Sequence, residues 1–294
     1  MSELLHMLSP SFLLRDALVG SVLVGLVCPL VGVYFVLRRM IFLGVALPQL
    51  SAAGIAFSFV GYRLAVGAHE HGNVSERSLA VIGSLVFTLG GLLVLTAFER
   101  RGRETVEARI GVTYAIAAAL TILFLALDPH GDAEMVNLLK GDILATTRTS
   151  LKLLAGVFGA VVAVLFAFRK EFLLVSFDRD LAIVFGKRVG LWDGLLYLTI
   201  GATISLGVMT AGPLVTFGFL VVPPLTARLV THRMLTFSLV AAAIGGVAAF
   251  GGFYCAYRID LPLGPAEVAL AALALLVIGG ASLIRSGLAR SRTS

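Results

Sequence analysis

Runs of about twenty residues almost free of ionisable groups recur along the whole of this 294-residue chain. Coiled as a helix, such a run matches the ~30 Å hydrocarbon core of a bilayer and satisfies its own backbone polar groups. Only 14% of the residues are charged, against about 25% in a soluble domain, and the mean hydropathy is +1.00. The expected fold is an all-α, polytopic membrane helix bundle. The formal net charge of +6 does not point to nucleic acid, because the basic residues cluster between apolar runs as the positive-inside rule expects. Met1–Pro10 shows neither a basic n-region nor a small-residue cleavage site, so no cleaved signal is expected there. Cys28 and Cys255 lie far apart inside apolar runs and read as small packing residues.

Taken in order, the first span runs from about Ala17 to Leu37 and ends on Arg38-Arg39, which places that end on the cytoplasmic side. The second covers about Ile41 to Gly61 and the third about Leu79 to Phe98, which ends in the basic segment ERRGRETVEAR. A fourth covers Ile110 to Leu127, and a fifth, about Leu151 to Phe168, returns to Arg169-Lys170. Residues 195–230 are apolar but interrupted by GVMTAGP, enough for two short spans or one span plus a re-entrant piece. Two further spans, about Leu235–Tyr257 and Val268–Ile284, precede a basic tail. The total is eight or nine, with nine favoured, in one transmembrane domain covering residues 1–294. Glu267 and Asp16 fall at span ends and are expected to be interfacial. The 32 glycines, among them Gly20/Gly25, Gly83/Gly90/Gly91, Gly245/Gly246 and Gly251/Gly252, suggest close helix packing.

One polar interruption keeps a helical stripe. In SFDRDLAIVFGKRVGLWDG, residues 176–194, Phe177, Leu181, Val184 and Phe185 recur at i, i+4, i+7 and i+8. Ser176 or Asp178 can cap the helix start. Gly186 stands where a left-handed cap is wanted, and Lys187-Arg188 follow at the negative end of the helix dipole. Two readings stay open for this amphipathic helix: a docking surface for a soluble partner, or an interfacial helix on lipid headgroups.

Chemistry is sparse. The chain has no GxxxxGK[ST] loop, no HExxH and no acid at the centre of a span. It is therefore expected to be no enzyme and to lack the buried ionisable group of a proton-coupled carrier. The second span is the best candidate for a substrate path. Pro48 deprives the Gly44 carbonyl of its helical partner, and Gln49, Ser51 and Ser58 add side-chain oxygens. The alternative is a kinked helix whose polar atoms bond a neighbour. His69, Glu70 and His71, and Asp128, His130, Asp132 and Glu134, gather possible cation ligands in two outer loops. Solvated loops are rich in such residues anyway.

Five stretches in this order carry a resemblance: GVYFVLRRMIFLGVAL at 32–47, LLKGDIL at 138–144, FDRDLAIVFGKRVG at 177–190, FGFLVVPPLTARLV at 217–230 and DLPLGPAEVAL at 260–270. Over about Gly20 to Ile284 the chain resembles the membrane subunit of the ATP-binding-cassette importers that carry zinc, manganese or iron. The resemblance implies a multi-pass permease in the cell inner (plasma) membrane, pairing with a second copy of itself around a translocation path. It also implies two cytoplasmic ATP-binding-cassette ATPase subunits docked on Phe177, Asp178, Leu181, Val184, Phe185 and Gly186, within a coupling segment of about 169–193. ATP would then bind the partner, leaving no cofactor in this chain, and an extracytoplasmic solute-binding protein would deliver cargo. In the family the second span usually reads G-D-A-L-S-H-A, an acid and an imidazole on one helix face. Here Val45 and Gln49 occupy those positions, with Pro48 in place of the serine.

The expected function is thus the permease subunit of an importer for a divalent metal ion or a metal complex, driven by separate ATPases. The substrate path would run past Gly44, Val45, Pro48, Gln49, Ser51 and Ser58. The rivals are a non-metal small solute on the same scaffold, an ATPase-independent carrier or channel, and a membrane enzyme or scaffold using His69, His71 and His130 as a metal site.

Overall fold

In the computed structural model the described residues are 14–66, 76–99, 106–127, 143, 147–231 and 233–290. They form ten helices: Arg15–Leu37 (α1), Leu43–Val66 (α2), Glu76–Glu99 (α3), Val106–Ala126 (α4), Arg148–Ala167 (α5), Arg169–Phe177 (α6), Arg179–Val184 (α7), Val189–Val230 (α8), Met234–Ile259 (α9) and Leu263–Arg290 (α10). Eight of these are long and apolar enough to cross a membrane.

The 42-residue α8 would be about 63 Å long if straight, twice the thickness of the hydrocarbon core. It is not straight. Gly212 takes φ 82°, ψ 166°, a region essentially reserved for glycine, and Pro213 follows it. A Cβ built at Gly207 would lie 3.0 Å from Thr216 Cγ2, although nine residues of unbroken helix span roughly 13 Å. The chain therefore folds back at Gly212 into a helical hairpin. Its tip reaches the end of the bundle that loop charge places outside: Ser205 Oγ bonds the Val81 carbonyl near the start of α3 at 3.4 Å. A Cβ at Gly264, in the first turn of α10, would lie 2.5 Å from Val215 Cγ2. Two passes in α8 raise the eight crossing helices to nine passes among the described residues, the count favoured from loop charge.

Helices α1, α2 and α8 form the buried centre, while α3, α4 and α10 turn residues such as Leu93, Ile122 and Leu276 outward. With lipid as apolar as leucine, contact at the centre depends on close backbone approach. The α1–α9 crossing shows how: a Cβ at Gly25 would stand 2.7 Å from the Gly245 carbonyl oxygen and 2.6 Å from Ala249 Cβ. Gly83 is used in the same way against the Gly54 carbonyl of α2, whereas Gly90 has open space around it.

Helix ends are closed locally. After α1 the chain turns through Arg39 at φ 56°, with Met40 N–H donating to the Phe35 carbonyl at 2.9 Å and Arg39 N–H to Val36 at 3.3 Å. That double bond is a Schellman cap. The same closure follows α7, where Gly186 has φ 69° and Lys187 N–H reaches the Ala182 carbonyl at 3.0 Å.

Candidate transport path and docking site

The docking stretch is two helices rather than one. Asp178 breaks the chain at φ −144°, ψ 98°, and its Oδ1 accepts from Leu181 N–H at 2.9 Å, capping the six-residue α7. A short carboxylate can bond its own backbone in this way, so it starts a helix more readily than it continues one. Of the two caps left open, Asp178 is the one used, so Phe177 ends α6, a correction to its expected place on the same helix as Leu181, Val184 and Phe185. Gly186 adopts the left-handed cap read from the sequence.

α7 is seated by Ala182, which packs with Val175 and Val189. The apolar stripe points away from the protein: Phe177 is 63% exposed, Val184 81% and Phe185 65%, with Leu181 and Ile183 also exposed. Beside it, Phe172 meets Tyr34 and Trp192 edge-on at 5.9 Å and 6.2 Å, fixing α6 against the inner ends of α1 and α8.

A charged network, not anticipated from the sequence, ties these pieces together. Asp193, in the second turn of α8, is 6% exposed. Arg38 Nη2 donates to its Oδ1 and Arg179 Nη2 to its Oδ2, each at 2.8 Å. Arg38 Nε also donates to Ser176 Oγ at 3.0 Å, and its guanidinium lies 5.7 Å from the centre of the Tyr197 ring. In the sequence Arg38 marked only membrane sidedness, and a pair 155 positions apart leaves no local signal.

On α2, Val45 and Gln49 lie half-buried one turn apart, and Gln49 Nε2 reaches Thr121 Oγ1 of α4 at 3.5 Å. Gly44 and Pro48 are buried. The two serines belong to a different face. Ser51 Oγ is fully buried and shares a 2.6 Å hydrogen bond with Ser84 of α3. Ser58 Oγ donates to the Gly54 carbonyl at 2.9 Å and packs on Gly83. These hydroxyls are occupied within and between helices, and residues two apart in a helix, such as Gln49 and Ser51, diverge by about 200°.

Glu267 is a further correction. Expected at the interface, it is 0% exposed. Ser21 Oγ of α1 donates to its Oε1 at 2.6 Å, and Oε2 has no hydrogen-bond partner among the described residues. The absence of a side chain at Gly252 lets α9 close over the Glu267 backbone. Asp16 stays partly exposed near Arg148, 3.8 Å away.

The loop residues His69, Glu70, His71, Asp128, His130, Asp132 and Glu134 lie outside the described residues, as does most of 138–144. Among the described residues no three His, Cys, Asp or Glu side chains gather as a metal site.

The profile of the ABC 3 transport family matches residues 11–281. The chain belongs to that family. The manganese import system permease protein ScaB of Streptococcus gordonii is 26% identical over 90% of this chain and 89% of its own. A probable iron transport system membrane protein of Haemophilus influenzae is 26% identical over 93% and 91%. The structure of PsaBC from Streptococcus pneumoniae in complex with Fab superposes with a TM-score of 0.79 at 25% identity, covering 94% of both chains. As a member of the ABC 3 family the chain is a multi-pass membrane permease.

Proposed function

We propose that this permease is the membrane gate of an importer for a divalent metal ion or metal complex, moved by two ATPase subunits that dock on α7. A second copy of the chain and an extracytoplasmic binding protein complete the assembly. The observation that carries the reading is the block of Leu181, Val184 and Phe185, exposed on a helix whose other side is pinned to the inner ends of the core. Apolar side chains on a rigid cytoplasmic projection suit insertion into a groove on a soluble partner. Relatives named for manganese and iron transport support the cargo class. Val45 and Gln49, lacking a carboxylate or imidazole, favour a cargo that keeps ligands of its own over a stripped ion chelated by α2.

The test is uptake by proteoliposomes holding the permease with and without its ATPase, offering manganese, iron and zinc ions and their chelates. ATP-dependent uptake of a metal species is expected. Val184→Glu with Phe185→Glu should abolish ATPase co-purification while leaving the permease inserted. Uptake by the permease alone, or undiminished ATPase binding by the double variant, overturns the reading.

A further inference from the structure

Asp193 lies where three structural pieces meet. Its Oδ1 is held by Arg38 at the inner end of α1, and its Oδ2 by Arg179, the first residue of α7. Arg38 adds Ser176 of α6 through a 3.0 Å bond. The three charged side chains differ in access: those of Asp193 and Arg38 are nearly buried, while that of Arg179 is about half exposed. A buried ion pair adds little net stability, because desolvation offsets the attraction, yet breaking one is costly. Charge-assisted bonds of this length are nonetheless strong and directional. A short carboxylate gripped at both oxygens is a stiff connector.

We infer that Asp193 is a positioning residue that carries a displacement of α7 into the transmembrane core, with Arg179 as the link on the docking side and Arg38 as the anchor on α1. The inference rests on α7 being the docking element. When α7 moves, Arg179 pulls on a carboxylate that α1 shares, so α1 and the first half of α8 move together. From Asp193 the helix runs about 28 Å to Gly212, where the backbone leaves helical geometry. That half of α8 is a lever between the docking helix and the turn of the hairpin. The apolar stripe of α7 binds the partner, while this network converts binding into movement.

The experiment uses the full permease reconstituted with its ATPase and reads ATP hydrolysis and metal uptake in the same vesicles. Arg179→Gln is expected to keep ATPase binding and hydrolysis while uptake per ATP falls roughly tenfold, the scale of a typical coupling between sites. Arg179→Lys, which keeps the charge, is expected to restore most of that loss, a rescue that a packing role would not show. Asp193→Asn should uncouple in the same way. If Asp193→Asn fails to fold, the Arg179 pair decides alone. Normal uptake per ATP in Arg179→Gln overturns the inference, and so does loss of ATPase binding, which would make Arg179 a docking residue. Wild-type uptake without any ATPase would instead sink the docking reading, an outcome the same vesicles distinguish.

Discussion

Two buried acids, Asp193 and Glu267, behave differently because of what faces them. Asp193 has a guanidinium on each oxygen, so its charge is balanced in a place from which water is excluded. Glu267 has one serine hydroxyl and an oxygen without a partner among the described residues. A lone carboxylate in an apolar setting is expensive, so little should be lost when its capacity for charge is removed. Glu267→Gln keeps the Ser21 bond and the volume, and its thermal unfolding in detergent should match or exceed that of the wild type. Glu267→Ala removes both, and is expected to destabilise the protein by about 1–3 kcal/mol. A Gln variant less stable than the Ala variant would show that the charge itself is used. Sequence position alone suggested an interfacial acid. The residue that holds it inside, Ser21 of α1, is 246 positions away, so no local pattern carries that information.

Among the elements, α8 and α7 turn on glycines of different kinds. Gly186 sits in the left-handed region with open space around it, so Gly186→Ala should cost about 1 kcal/mol. Gly212 sits at φ 82°, ψ 166°, which side-chain-bearing residues avoid at a cost of about 1–3 kcal/mol. Gly212→Ala should therefore lower thermal stability by more than Gly186→Ala. It should also impair uptake, since the turn of the hairpin would be distorted. Equal stability of the two variants in the same unfolding assay would contradict this. Much at this scale was legible: the cap at Gly186, the break near Gly212-Pro213 and the apolar stripe of Leu181, Val184 and Phe185 all depend on near neighbours. The split at Asp178 was left open in the sequence, where Ser176 or Asp178 could cap the helix start. The Leu181 N–H that Asp178 bonds decides between them.

At the scale of the whole molecule, the nine passes among the described residues, with basic ends inward, place the hairpin tip outside and α7 inside. With Cys255 replaced by serine, Leu214→Cys should react with a membrane-impermeant maleimide from the outer face, as should Leu261→Cys. Val184→Cys should react only from the inner face. Labelling of Leu214→Cys from the inner face would mean that α8 does not cross twice. Long charge-poor runs determined where the spans lie and the sidedness to expect of them, because transfer into lipid depends on local composition and on basic residues at the ends of each run, while the doubling of α8 was decided by the turn at Gly212. The sequence by itself also determined which short helix would be left with an apolar face and no apolar run to bury it. Only the tertiary structure decided which polar atoms meet: Ser51 with Ser84, Ser21 with Glu267, and Arg38 with Asp193 and Arg179. Those pairings depend on how helices distant in sequence rotate and cross, which is set by close contacts at residues such as Gly25 and Gly245 rather than by any pattern along one stretch of chain.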